Sequence, residues 1–212
     1  MCTNMKSMTK SNEAGVDEVG RGCLLGPVAA AAVILPDTIF EIEGYTIIND
    51  SKSVTKTKRK IAFEFIKKHA VAYSVAFSDA EYIDKHNILN ATIATMHAAL
   101  DGLCVAPSNI LVDGTQFKQF GSISHECVVQ GDTKFMNIAA ASIIAKVTRD
   151  NYIAELCDKT PHLDEKYALR KNMGYGTKAH IDGIRRFGIC DLHRKTFAPC
   201  KHLLNNQITV LF

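Results

Sequence analysis

The stretch AGVDEVGRG, Ala14 to Gly22, sets the fold question. It begins as an apolar strand and then places two carboxylates, Asp17 and Glu18, at consecutive positions. Burying an acidic pair is costly unless a cation or hydrogen-bond donors compensate it. Neighbouring strand residues also point to opposite faces, so a bend near Gly20 and Gly22 is expected to bring the two acids together. Working outward, Ala14 to Gly20, Val28 to Leu35, Val71 to Phe77, Asn109 to Asp113 and Ser122 to Val129 are short, rich in β-branched or small apolar residues and bounded by turn formers. These segments predict five strands. Leu89, Ile93, Met96, Leu100 and Leu103 recur at steps of four and three, the spacing of one helix face, with Asn90 as the expected N-cap. A second long helix is expected over Asn137 to Cys157, where Ala139, Ala140, Ala141, Ser142 and Ala145 permit close approach to a neighbour. Strands and helices alternate, as in an α/β domain.

Two more carboxylates stand at comparable places. Asp113 ends the apolar run Ile110-Leu111-Val112, and Asp132 lies between Gly131 and the second long helix. Taken singly, each acid is equally well a cap or a solvated strand end, and Asp132 is favoured by the helix dipole. Taken together, the four supply the oxygen ligands that hard cations such as Mg²⁺ require, and two ions about 4 Å apart need several carboxylates to offset their charge.

The chain as a whole excludes several classes. Its 212 residues, 47% apolar and 22% charged, describe a folded protein, read as one domain over 1–212. The longest apolar run, Val28 to Leu35, is too short to span a bilayer. Residues 1–12 lack the apolar core of a secretory signal and read as a flexible tail. Seven scattered cysteines with no Cys-x-x-Cys pair argue for reduced thiols and a cytoplasmic location. Lys52, Lys56, Lys58, Arg59 and Lys60 crowd one stretch that suits phosphates. From about 161 to 212 the chain reads as an appended helical region, with a helix around Thr177 to Phe187. A monomer is the default expectation.

DEVGRG at 17 to 22, DSK at 50 to 52, LVDG at 111 to 114, GDTK at 131 to 134, AAASIIAKVTRD at 139 to 150 and GYGTKAH at 174 to 180 together closely resemble type 2 ribonuclease H, ribonuclease HII. The motifs run in family order from residue 14 to about 199. The resemblance implies an α/β ribonuclease H-like fold, a five-stranded mixed sheet flanked by helices with a C-terminal helical extension. It implies an endonuclease that hydrolyses the RNA strand of RNA/DNA hybrids and incises 5′ to ribonucleotides embedded in duplex DNA, serving ribonucleotide removal in replication and repair. Carried over by position, Asp17, Glu18, Asp113 and Asp132 match the catalytic acids that hold two Mg²⁺ or Mn²⁺ ions. Gly20, Arg21 and Gly22 match the segment that reads the ribonucleotide from the minor groove. Tyr175 matches the tyrosine that packs on the following sugar, and Lys52 and Lys134 match positions near the backbone. Lys146, Arg149, Lys178 and His180 rank below these, because basic residues on helices are usually solvated. The sequence departs from common family forms at Cys23, Ser53, Thr133, Phe135 and Met136.

Three other readings compete. Gly20, Gly22 and Gly26 mimic the glycine turn of an NAD(P)-binding oxidoreductase, although Val28 to Leu35 looks like a strand where that motif needs a helix. A non-catalytic nucleic-acid binder would use the basic stretch but has no need of four acids. Cys190, His193, Cys200 and His202 have cramped, non-standard spacing for zinc. The C-terminal Gln207, Ile208, Leu211 and Phe212 suggest a motif for docking on a replication sliding clamp.

Overall fold

A computed structural model describes residues 11–48 and 55–202. Five strands, β1 (Glu13–Val19), β2 (Val28–Ile34), β3 (Ala72–Ser78), β4 (Asn109–Asp113) and β5 (His125–Val128), form one sheet in the order β3-β2-β1-β4-β5. β1 runs antiparallel to β2 and parallel to β4, and β4 runs parallel to β5, so the sheet is mixed. The helices are α1 (Lys56–His69), α2 (Ala80–His86), α3 (Ile88–Asp101), α4 (Met136–Lys159), α5 (Pro161–Tyr167), α6 (Leu169–Asn172) and α7 (Lys178–Phe187). The five expected strands are all present, Asn109–Asp113 with the expected bounds and the others with edges moved by at most three residues. The antiparallel β1–β2 pair also removes the dinucleotide-binding reading, because the glycine turn is followed by a strand and not by a helix.

The described residues divide into two compact units. The first contains the chain up to Val19, then Ala29–Ala76 and Thr92–Thr148. Its sheet carries a core on each face, and successive strand residues alternate between the two. Ala31 and Val33 face a core with Ile66 of α1 and with Ala140, Ile143 and Ile144 of α4, while Ala30, Ala32 and Ile34 face one with Met96 and Leu100 of α3. The run of alanines in β2 lets helix backbones approach closely. Gly15 on β1 does the same: a Cβ there would lie 2.1 Å from the carbonyl carbon of Asn137. Asn137 fastens the contact, donating from Nδ2 to the Glu13 carbonyl and accepting at Oδ1 from Leu35 N–H.

The second unit contains Gly20–Val28, Phe77–Ala91 and the chain from Arg149. Its core joins Leu24 and Leu25 to Ile153, Leu163, Tyr167 and Ile184. Here α5, α6 and α7 form the helical region expected beyond residue 161. Two helices were not anticipated. Basic α1 starts at Thr55, whose hydroxyl accepts from Lys58 N–H, and α2 starts at Asp79, whose carboxylate accepts from Tyr82 N–H. The expected cap of α3 is corrected by three residues: Asn87, at φ +62°, accepts from Asn90 N–H, and Asn90 sits inside the first turn. No helix among the described residues is long and apolar enough to cross a membrane, and none of the described cysteines is in a disulfide.

Candidate active site

The parallel pairing of β1 with β4 places two of the four acids side by side. Val16 pairs with Val112, and Asp17 and Asp113 are the next residue on each strand. Asp113 ends β4, and Asp17 stands one residue past the last β1–β4 pair, near the carboxyl edge of the parallel strands where open α/β sheets bind ligands. Asp17 shares its sheet face with Gly15, the face on which α4 packs, and is 5% exposed. Burial drives its carboxyl well above the ordinary range, and the nearby charges of Glu18 and Asp113 push it further in the same direction. Hydrogen bonds from the Ser142 side chain and from Glu18 N–H, the latter 2.7 Å long, oppose the shift. Alternation continues through Glu18 and Val19, which still pair with Ala30 and Ala29. The bend expected near Gly20 is present, with φ +88° at that residue, but it follows both acids and leaves their alternation intact.

Asp113 is tied to the turn that carries Asp132. Its Oδ1 accepts from Gly131 N–H at 2.7 Å, and the space at 131 is tight, since a Cβ there would lie 2.5 Å from the Cδ1 tip of Ile138 and move that side chain. Asp132 lies buried in the 3-10 turn Gly131–Thr133, which precedes α4 and separates the acid from the helix end. Lys134 folds back, its Nζ donating to the Val129 carbonyl at 2.7 Å. Glu18 and Asp113 both repel Asp17, and a group of carboxylate oxygens of this kind would suit a hard divalent cation. Among the described residues, no three acidic, histidine or cysteine side chains are already drawn to metal-ligand separations.

In the second unit, the Gly20–Pro27 loop is built on two buried arginines. Arg194 donates to the carbonyls of Gly20 (2.7 Å), Arg21 (2.7 Å) and Gly26 (3.1 and 3.0 Å). Arg149 donates to the carbonyls of Pro27, Leu25 and Met173. The ranking of Arg149 among solvated helix residues is thus corrected: it is fully buried. Tyr175 bridges to Cys23 backbone to backbone and is 38% exposed, with the Arg149 guanidinium 6.0 Å from its ring centre. Gly174 before it has φ +87°, and a Cβ there would strike the Leu25 carbonyl at 2.5 Å.

A model of the family described as Ribonuclease HII matches residues 14–200. The chain belongs to the ribonuclease HII family. It is an endoribonuclease of RNA/DNA hybrids, as that membership entails. A ribonuclease HII of Christiangramia forsetii is 44% identical over 204 residues, 96% of this chain and 97% of the relative. Among solved structures, the ribonuclease H2 of Pyrococcus horikoshii OT3 superposes with a TM-score of 0.75 at 24% identity, covering 92% of this chain and 97% of its own. The ribonuclease HII of Archaeoglobus fulgidus, solved in a complex with PCNA, gives 0.68 at 22% identity over 87% and 94%. Bst-RNase HIII in complex with Mn²⁺ gives 0.67 at 19% identity over 96% and 71%. These likenesses show the ribonuclease H-like fold.

Of the other residues singled out in the sequence, Lys52 and the Gln207–Phe212 motif lie outside the described residues. Lys178 opens α7 and is exposed. His180 is buried, its Nδ1 2.9 Å from the Tyr175 carbonyl and its Nε2 3.2 Å from His193 Nε2. His193 Nδ1 accepts from Cys190 N–H at 3.0 Å. That bond occupies the nitrogen nearest the cysteine, so these residues form a neutral histidine relay in place of a zinc site. Burial lowers both histidines, His193 to about 4 with His180 adding to the effect. Sequence reading missed Arg194 and His193 as parts of this loop support. His193 and Arg194 stand in an irregular stretch, and the partners of Arg194 are carbonyls some 170 residues earlier.

Proposed function

We propose that the chain cuts the RNA strand of hybrids and incises 5′ to a ribonucleotide embedded in duplex DNA, leaving 3′-hydroxyl and 5′-phosphate ends. One observation carries this reading: Asp17 is buried beside Glu18 and Asp113 where the parallel pairing of β1 and β4 ends, a cluster of acids that favours a cation. Asp17, Glu18, Asp113 and Asp132 would hold two Mg²⁺ or Mn²⁺ ions, which would supply activation of a water and neutralisation of charge at the departing 3′ oxygen. The chain's own residues do the rest. Gly20, Arg21 and Gly22 read the ribose, Tyr175 packs its exposed ring on the next sugar, and Lys52 and Lys134 meet phosphates. For this, Lys134 leaves the Val129 carbonyl. The 2′-hydroxyl is a recognition group here, so no cyclic phosphate forms.

The whole 1–212 chain acts as one catalytic domain and as a monomer. Its C-terminal Gln207–Phe212 motif docks on a sliding clamp, a role in keeping with the PCNA complex of the Archaeoglobus relative. The test is a DNA duplex with one ribonucleotide, labelled at either end and incubated with Mg²⁺, with Mn²⁺ or with EDTA. A metal-dependent cut on the 5′ side with a 3′-hydroxyl end is expected. An uncut duplex with either metal would leave a hybrid-binding protein as the better reading.

A further inference from the structure

The Gly20–Gly22 segment owes its shape to a side chain far away in sequence. Arg194 is fully buried, and its guanidinium meets four carbonyl contacts in one loop, where a buried arginine is commonly matched to a carboxylate. Burial pushes the group down to about 10, with the positive charge of Arg149 acting in the same direction, so it stays charged at neutral pH. A trans peptide is planar and holds its C=O and N–H antiparallel. Pulling the Gly20 carbonyl toward Arg194 therefore turns Arg21 N–H the other way, and pulling the Arg21 carbonyl does the same to Gly22 N–H. Both residues are exposed. Arg149 closes the support from beneath: a Cβ on Gly20 would lie 2.3 Å from its Nε.

We propose that Arg194 is a positioning residue for ribose recognition, fixing two adjacent peptide planes so that the Arg21 and Gly22 N–H groups face a hydrogen-bond acceptor such as the ribose 2′ oxygen. The buried positive charge behind the two carbonyls also polarises those peptides, strengthening their outward donors. This deepens the assignment of Gly20–Gly22 to the ribonucleotide under Proposed function and rests on it. A lysine at 194 keeps the charge but not the planar fork that reaches three carbonyls at once.

The test titrates a labelled RNA/DNA hybrid and the all-DNA duplex of the same sequence in EDTA, where nothing is cut. Wild type, Arg194→Lys, Arg194→Gln and Gly22→Ala are compared, each below its own melting temperature. A Cβ at Gly22 meets no atom of the described residues within 4 Å, so Gly22→Ala is expected to fold and to block only what approaches from outside. The preference for hybrid over DNA is expected to fall roughly tenfold in the folded Arg194 variants and in Gly22→Ala, with DNA affinity retained. In the wild type, the amide resonances of Arg21 and Gly22 are expected to shift with the hybrid and not with DNA. A lower melting temperature with the wild-type preference kept in the Arg194 variants, while Gly22→Ala loses it, would make Arg194 merely structural and overturn the inference. Wild-type preference and unmoved amides throughout, Gly22→Ala included, would instead remove the loop assignment itself.

Discussion

Asp17 is the residue on which chemistry and stability conflict most directly. Its folded-state carboxyl titrates above the ordinary range, so the native protein binds more protons than the unfolded chain. Stability then falls as pH rises through that interval. In EDTA at pH 7, Asp17→Asn is expected to raise the melting temperature, by about 2–4 °C for each kcal/mol relieved, while activity with Mg²⁺ drops at least roughly a hundredfold. The gain should vanish as pH falls below the ordinary carboxylate range, and added Mg²⁺ should stabilise the wild type more than the variant. Thermal scans with and without Mg²⁺ check all three; a variant less stable at pH 7 would contradict the origin of the shift. The acids were legible because charge inside an apolar strand has few inexpensive explanations. Arg149 and Arg194 were not, since a basic residue on a helix or in an irregular tail reads as solvated until its distant carbonyl partners are seen.

The site depends on helix α4 lying directly on β1. Gly15→Ala is expected to destabilise by about 3 kcal/mol or more, because its methyl meets the Asn137 backbone, which cannot rotate away like a side chain. Chemical denaturation measures this, and a neutral outcome would show that α4 is free to shift. At the start of α3, Asn87→Ala is expected to cost about 1–2 kcal/mol through lost capping and a strained positive φ. Asn90→Ala should cost less. Both long helices were readable from periodicity, and the strands from their small and β-branched runs. The cap of α3 was misplaced because Asn87 and Asn90 are both good capping residues, and only the backbone at Asn87 decides between them. Helix α1 was hidden by its charge: Lys56 to Lys60 looked like a phosphate-binding stretch, and just Ala62 and Ile66 are buried.

At the scale of the molecule, sequence order conceals which segments fold together. Gly20–Val28 and Phe77–Ala91 join the C-terminal region in one compact unit, and within it Asp84 of α2 accepts from the N–H groups of Lys195 and Thr196 across more than a hundred residues. No linear pattern announces such a pairing. The fully buried His180–His193 relay gives this unit a predictable acid response. His193 is lowered from 6.5 to about 4, so its contribution is fully present above about pH 6.5 and is lost as pH falls toward 4, to the extent of ~3 kcal/mol. Measured in Asp17→Asn to remove the opposing carboxyl, stability should fall over that window, and the His193 ring resonance should stay neutral at pH 5. A ring that titrates near 6.5 would show that the relay is open to water. For the enzyme as a whole, the most direct measurement is cleavage of an RNA/DNA hybrid by the wild type and by Asp113→Asn, with Mg²⁺, Mn²⁺ or EDTA. The account predicts rapid cutting of the RNA strand by the wild type with metal alone, and loss of roughly a hundredfold or more in the variant. Undiminished cutting by Asp113→Asn, or cutting in EDTA, would contradict it.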